Sequence, residues 1–443
     1  MQMPQNLGSV ARNILWQFGH QGLLILNAVF VGAIVARHLG PESTGMVANA
    51  IALVAMLAPI VTLNSDNAFV RDYVQKPESR SASFWSLIVC RSLLAGACVF
   101  TLLLALFTRL IPVSSTTEQF VLAVTIVNLL LQPWNLAKAV LDAEMISKFW
   151  TWYLNSTLVS IALLKIWMVS TRFTVEYFAA LTTLELAINT FGIVIITYFK
   201  RLLPKPTFPK LEVIYEVIRE NLPLAASGIC VAIYVNIDIS MLRYLTTSAE
   251  VGIYSVACKM SSVWYFIPMI ASASFLPSLS RLHAEDIEKY WVALNRYFEL
   301  IAALATACVV ISLVCFPYVI PMLYGPKFDR SVNMFFIHIF SSPFAFLGVA
   351  RVTHLSIEKN YRFLLFATLS GVILNIALNW LLIPYWGGFG SAFATLLSYA
   401  FSSYATSFAS PSLRKIAAIQ TRSLVRSPLN IVQMLLRFIK NQK

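Results

Sequence analysis

The sequence predicts an all-α polytopic membrane protein, with twelve transmembrane helices in two six-helix, pseudo-symmetric bundles. Three observations lead there. The 443 residues are 58% hydrophobic and only 12% charged, more apolar than a soluble core of that length requires. Apolar runs long enough to cross a bilayer recur roughly every 35 residues. The Lys and Arg between those runs fall mostly on alternate loops, as the positive-inside pattern demands.

The expected spans are residues 10–36, 43–68, 84–107, 119–141, 150–170, 175–199, 222–245, 251–276, 293–316, 331–356, 361–383 and 388–409. The opening, MQMPQNLGSVARNILW, lacks a basic n-region and a small-residue cleavage site, so the first run is expected as an uncleaved helix. With the N-terminus in the cytoplasm, the outer side carries only Arg37, Arg109, Arg172, Arg243, Lys327 and Arg330, and the inner side carries most of the rest. That asymmetry fits an even number of spans with both termini inside. The connection 200–221, KRLLPKPTFPKLEVIYEVIREN, is the longest and most basic. Its prolines break helix, and 210–221 then reads as a short amphipathic helix at the membrane surface. It divides the chain into bundles 1–210 and 211–409, followed by a basic tail, 410–443. The end of the tail, PLNIVQMLLRFIKNQK, reads either as a helix on the anionic inner leaflet or as disordered chain.

Composition removes several function classes. The net charge of +13 is split between short loops and the tail rather than gathered on a soluble domain, so nucleic acid is not an expected partner. The six cysteines fall in spans with no CxxC pair and read as small packing residues. Five scattered histidines without HExxH offer no metal site, and no GxxxxGK[ST] offers ATP hydrolysis. No cofactor and no catalytic residue are expected. No outer loop has room for the catalytic site of a membrane polymerase or ligase.

The candidate residues are polar groups inside the spans. Arg91, Lys138, Lys165, Lys259 and Arg351 lie in otherwise apolar segments, where each Lys or Arg at a helix centre costs about 2.5 to 3.5 kcal/mol. Such residues face a protein-lined or watery interior and mark substrate or ion paths. Arg91, Lys138 and Arg351 form an inner tier for which snorkelling is an equal reading. Arg91 has apolar neighbours on its own face and needs a partner from another helix. Lys165 and Lys259 form an outer tier near acids: Lys259 lies at the depth of Asp238, and Lys165 pairs less closely with Glu185. Polar stripes accompany them. Asn13, Gln17, His20 and Asn27 fall within about 80° on span one. Asn128, Gln132, Asn135, Lys138 and Asp142 fall within about 120° on span four. Thr182, Glu185 and Asn189 follow on span six. Hydrogen bonding that only holds helices together competes with a wet cavity as the reason for each stripe. His20, whose side chain ordinarily titrates near neutral pH, is with Glu185 and Asp238 a candidate for coupling or gating.

The two halves look related. RHLGPESTGMVANA at 37–50 follows the first span, and RYLTTSAEVGIYSVA at 243–257 follows the seventh. Both run Arg-aromatic-Leu, counting His38, to a polar turn and then to Gly45 or Gly252. Such parallel repeats imply a site between halves related by an axis along the membrane normal.

Further motifs occur in order: RNILWQFGHQ and VARHLGPESTGMVANAIAL, then NLPLAASGICVAIYVNIDISMLRYLTTSAEVGIYSVACKM, FLPSLSRL and Leu323-Tyr324-Gly325, and finally GVILNIALNWLLIPYWGGFGSAFATLLS. Together they resemble the bacterial polysaccharide-export flippases of the Wzx type, in one superfamily with multidrug-and-toxin exporters and lipid II flippases. Asn64 and Asp66 depart from the plain Gly-Leu stretch common there. Span one also lacks the several arginines of lipid II flippases beyond Arg12. The resemblance implies an exporter-like fold with a central cavity in the bacterial plasma membrane. It implies an undecaprenyl-diphosphate-linked oligosaccharide as substrate, with membrane lipids, H+ or Na+, and a polysaccharide polymerase and chain-length regulator as further partners. Substrate contact would fall to Arg91, Lys138, Lys165, Lys259, Arg351, Asn13, Gln17 and Asn135. A drug or metabolite exporter of the same fold and a lipid II flippase remain alternatives.

Overall fold

In the computed structural model, residues 19–144, 146–209 and 211–441 are described, and the structure there is helical throughout its long elements. Contacts divide the chain into two compact units, Met1–Ser240 and Met241–Lys443. Ten helices are long and apolar enough to cross a membrane among the described residues, which makes the chain a multi-pass membrane protein.

The first unit contains α1 (Gly19–Gln75), α2 (Pro77–Phe107), α3 (Thr116–Ala143), α4 (Lys148–Ser170), α5 (Val175–Phe199) and most of α6 (Leu211–Leu245). Ten long helices rather than twelve result from two places in the chain. The first is α1, whose 57 residues would extend roughly 85 Å as one rod, far beyond one crossing. It is instead broken at Gly40, with φ 79° and ψ 175°, a conformation that glycine adopts without a Cβ clash. Pro41 follows at the next helical start, where its missing N–H is not needed. The expected first and second spans therefore meet at a corner without an intervening loop. A second break at Leu63 and Asn64, both left-handed, ends the apolar run before Asp66–Gln75.

Helix α3 begins with a capping box. The Ser115 hydroxyl accepts from the Glu118 N–H, and the Glu118 carboxylate accepts from the Ser114 N–H at 2.7 Å. Its middle, Val127–Asn135, tightens into a 3-10 stretch around Pro133, which has no N–H for an α-helical bond. This stretch carries Asn128, Gln132 and Asn135. Apolar clusters on either side hold it: Val54, Val61, Ala95 and Leu129 toward α1 and α2, and Ala137, Leu141, Trp150 and Ile193 toward α4 and α5.

The second unit holds α7 (Ser248–Glu285), α8 (Ile287–Tyr324), α9 (Pro326–Ile357) and α10 (Tyr361–Trp386). Then comes α11 (Gly388–Ala400), which runs through a π turn, Phe401–Ala405, into Thr406–Ala409. This is the second place where the helix count changes, because the expected twelfth span is a composite of shorter pieces. The core is built on Tyr290, Leu294, Tyr297, Phe298 and Ile301 of α8, against Leu279 of α7 and Phe346, Leu347 and Ala350 of α9. Asp286 caps α8 by accepting from the Glu288 and Lys289 N–H groups, and the Lys289 N–H holds its carboxyl below the usual range.

The first part of the basic tail packs on the second unit, and the side chains of 428–443 lie outside the described residues. Residues Arg414–Asn441 form a helix, α12, and Leu413, Ile416 and Ile419 belong to the core of the second unit. The apolar positions are spaced for one helical face, and that face is spent on α8 and α9 instead of a lipid surface.

The turn from α10 to α11 is tied by one carboxylate. Glu250 accepts from both terminal nitrogens of Arg330, at 2.9 and 3.2 Å, and from the Gly388 N–H at 3.0 Å. Gly387 precedes it with φ 54° and ψ −131°, and a Cβ there would stand 2.8 Å from the Glu250 Oε1. Gly387→Ala is expected to destabilise the protein by about 1–3 kcal/mol through backbone strain. The thermal midpoint of the purified protein in detergent checks this, and an unchanged midpoint would contradict the strained turn.

Candidate functional site

The first unit lines an open cavity of about 590 Å³. Its two sides differ in chemistry. Helix α1 supplies the apolar Ile51, Val54, Ala55, Ala58 and Pro59, followed by the polar Thr62 and Asn64 at one end. Helices α3 and α5 supply Thr125, Asn128, Gln132, Thr182, Glu185 and Asn189, with Leu186 among them. Of the stripes expected on the fourth and sixth spans, Asn128 and Gln132 of the former and Thr182, Glu185 and Asn189 of the latter face one space; Asn135, Lys138 and Asp142 do not line it. The Oδ1 atoms of Asn128 and Asn189 have no hydrogen-bond partner, and unpaired buried acceptors of this kind are costly unless something else satisfies them.

Lys165 of α4 reaches the wall through Glu185. Its Nζ lies 2.7 Å from the Glu185 Oε2, and each side chain is only 16% exposed. The pairing is direct, closer than the sequence reading expected. Nearby, the Asn135 amide donates to Gln132 at 3.1 Å, and its oxygen accepts from Thr190 at 3.2 Å. Asn135 is therefore built into the α3–α5 contact.

A second group of charges lies at the other end of α3. Arg91 is completely buried. Its Nη2 donates to the Ser65 hydroxyl at 2.6 Å and to the Asp66 carboxylate at 2.7 Å. Here is the partner from another helix that Arg91 required. Asp66 itself is 54% exposed, and the Arg91 Nε and Nη1 have no partner. Lys138 sits 4.5 Å above the Trp150 ring, and the Trp150 indole donates to Asp142 at 3.0 Å. His20 packs edge-on against the same ring. Its Nδ1 lies within hydrogen-bond distance, 2.6 Å, of the Asn155 Oδ1.

The second unit places Arg351 in a closed socket. Nη1 donates to the Thr406 and Ser407 hydroxyls at 2.8 and 3.1 Å, and Nη2 to the Ser402 carbonyl at 2.5 Å. Those carbonyl and hydroxyl groups belong to the π turn and its exit, where the regular ladder leaves acceptors free. Arg351 thus braces the broken last helix. Lys259 is exposed, and Asp238 is buried with its carboxylate accepting from the Ile239 N–H. Asn13 and Gln17 lie outside the described residues.

Sequence reasoning found the charged members and missed several partners: Ser65, Trp150 and Asn155. Asp66 and Asp142 were visible signals, as acids at the ends of apolar spans. Their distance in sequence from Arg91 and Trp150 hid the pairing.

The comparisons agree with this architecture. The profile of the polysaccharide biosynthesis protein family matches residues 10–283. The "Probable flippase AglR" of Haloferax volcanii is 29% identical over 182 residues, 38% of this chain. That match spans 36% of the relative's own length. Among solved structures, the inward-facing conformation of a multidrug resistance MATE family transporter of the MOP superfamily aligns with a TM-score of 0.72 at 14% identity, covering 93% of this chain and 95% of that one. The lipid II flippase MurJ in its inward closed conformation aligns at 0.71 with 15% identity, covering 96% and 93%. At such identities the likeness is one of fold. The chain belongs to the polysaccharide biosynthesis protein family and is built on the transporter fold shared by MATE exporters and MurJ.

Proposed function

We propose that the protein is a flippase that moves undecaprenyl-diphosphate-linked oligosaccharide repeat units from the inner to the outer leaflet of the plasma membrane. The observation that carries this reading is the cavity of the first unit, with hydroxyls, amides and a carboxylate concentrated on α3 and α5 and mainly aliphatic groups on α1. Sugar hydroxyls need donors and acceptors of that kind, while a polyprenyl chain needs none and stays in lipid. The family match and the name of the archaeal relative point the same way.

In this proposal the bundles expected from the sequence, 1–210 and 211–409, rock in alternating access. Lys138, Lys165 and Lys259, with Asn135, Asn13 and Gln17, meet the diphosphate and sugar. Arg91 and Arg351 hold the frame that positions them. Glu185, Asp238 and His20 respond to a coupling ion, H+ or Na+. A potential negative inside favours outward movement of an anion by about 2.3 kcal/mol per charge per 100 mV. The product is an oligosaccharide on the outer leaflet for O-antigen, capsule or exopolysaccharide assembly, where a polymerase and chain-length regulator would act. The N-terminus would lie in the cytoplasm.

Deletion of the gene with plasmid complementation tests this reading. Lipid-linked repeat units are expected to accumulate on the inner leaflet while their synthesis continues. Normal surface polysaccharide in the deletion strain would refute the reading.

A further inference from the structure

Helix α12 does more than complete a core, because of where it lies. Its Lys415 Nζ stands 3.7 Å over the Trp291 ring near the start of α8. Further along, the Thr306 hydroxyl of α8 donates to the Ser427 hydroxyl at 2.8 Å. The two helices therefore run side by side in the same direction over this stretch. The last charge on α8 before its long apolar run is Glu299, and no charged residue follows through Tyr324. Thr306 lies about 10 Å beyond Glu299 at 1.5 Å per residue. So α12 climbs from the charged end of α8 into the apolar zone. Arg422 comes level with the boundary, and Arg426 comes about one turn inside it.

The face that α12 turns away from the core is basic. Arg414, Arg422 and Arg426 are exposed, while Ile416, Gln420, Ser423 and Ser427 are buried. Gln420 and Thr421 fasten the buried side to the Ser403 carbonyl and the Tyr404 hydroxyl. The helix contains no Asp or Glu, and no ion pair is formed by these three arginines among the described residues. Arg422 and Arg426, four positions apart, present like charges on one face, which repel. At the edge of a hydrocarbon layer that arrangement asks for an anion. Guanidinium groups match phosphate oxygens in paired hydrogen bonds. One diphosphate, with more charge than a phosphodiester, neutralises both arginines at once.

We infer that Arg422 and Arg426 form a docking stripe for a lipid diphosphate at the inner leaflet, where the head group is held before it enters the transporter. The inference rests on the flippase reading for the identity of the lipid. The stripe would hold the diphosphate at the membrane boundary while the isoprenoid tail remains among lipid chains. Lys415, drawn onto Trp291, and Arg414 extend the basic face toward water.

The test uses the full chain in phosphatidylcholine nanodiscs, with undecaprenyl diphosphate as the probe and retention read by native mass spectrometry. The wild type is expected to retain it in preference to phosphatidylglycerol. The double variant Arg422→Gln/Arg426→Gln is expected to retain it about tenfold less well. The control Lys359→Gln/Arg362→Gln, which removes two exposed cations where α9 turns into α10, is expected to bind like the wild type. Both variants change exposed side chains, and an unchanged melting curve confirms that they fold. Undiminished binding by the Arg422/Arg426 variant overturns the stripe. So does equal loss in the control, equal retention of phosphatidylglycerol, or displacement by inorganic diphosphate at matching concentration. A stripe that fails in a protein whose deletion still strands repeat units on the inner leaflet fails alone. Normal polysaccharide in the deletion strain removes the flippase reading itself.

Discussion

Asp66→Ala is expected to destabilise the protein by about 2 kcal/mol, whereas Arg91→Met is expected to be neutral or stabilising. The asymmetry comes from burial. Removing one partner of a fully buried ion pair costs about 3–5 kcal/mol, because the other charge is left without compensation. Asp66 is 54% exposed, so water already supports its carboxylate and the figure is discounted. Arg91 is fully buried and has Nε and Nη1 without partners. Without Asp66 its guanidinium would keep only Ser65. Methionine at position 91 removes that charge and its unmet donors and keeps much of the volume, a change that cores usually tolerate. Thermal melting of the two variants in detergent checks the order. A larger loss for Arg91→Met than for Asp66→Ala would show that Arg91 contributes by attraction rather than tolerating its burial.

The second large effect falls on transport. Lys165→Met is expected to lower export by more than about tenfold at normal protein level, which corresponds to over roughly 1.4 kcal/mol in the limiting step. It leaves Glu185 as an unpaired carboxylate in the cavity wall. The double variant Lys165→Met/Glu185→Gln separates two roles. Neutral groups in both places remove the uncompensated charge, so melting should return toward the wild-type value. Export should stay low if, as proposed, the pair meets substrate or opens with an ion. Recovery of both melting and export in the double variant would make the pair a structural bolt and remove Lys165 and Glu185 from the proposed site.

The membrane class was legible because it rests on properties that add along the chain. Apolar length and the loop bias of Lys and Arg need no knowledge of neighbours, and the structure has the long apolar helices they imply. The polar stripes were legible for the same reason. Asn128 and Gln132 share a face by helical spacing alone, as do Thr182, Glu185 and Asn189. The cavity that they line was not, because spacing says which residues share a face and nothing about which face comes opposite.

The unread parts are places where a local rule has two solutions. Gly40 and Pro41 look like a loop in sequence, yet a positive φ at Gly40 lets two helices meet directly. The amphipathic pattern of 414–427 specifies an apolar face, and lipid or protein satisfies it equally. The core of the second unit decided for protein, by offering Tyr290, Phe298 and Phe346 beside Leu413, Ile416 and Ile419. Arg351 looked like a cation awaiting an anion, until the π turn supplied carbonyl and hydroxyl acceptors for it.

By itself the sequence determined that this chain crosses a membrane many times, that its spans carry aligned polar faces, and that cations and acids lie within them. Those are sums over neighbours along one helix. Tertiary structure alone decided which charges are consumed by the frame, as in Arg91 with Asp66, and which reach a cavity wall, as Lys165 does through Glu185. The reason is physical: the energy of a charge in an apolar medium depends on a partner within a few ångströms, and such partners come from helices distant in sequence.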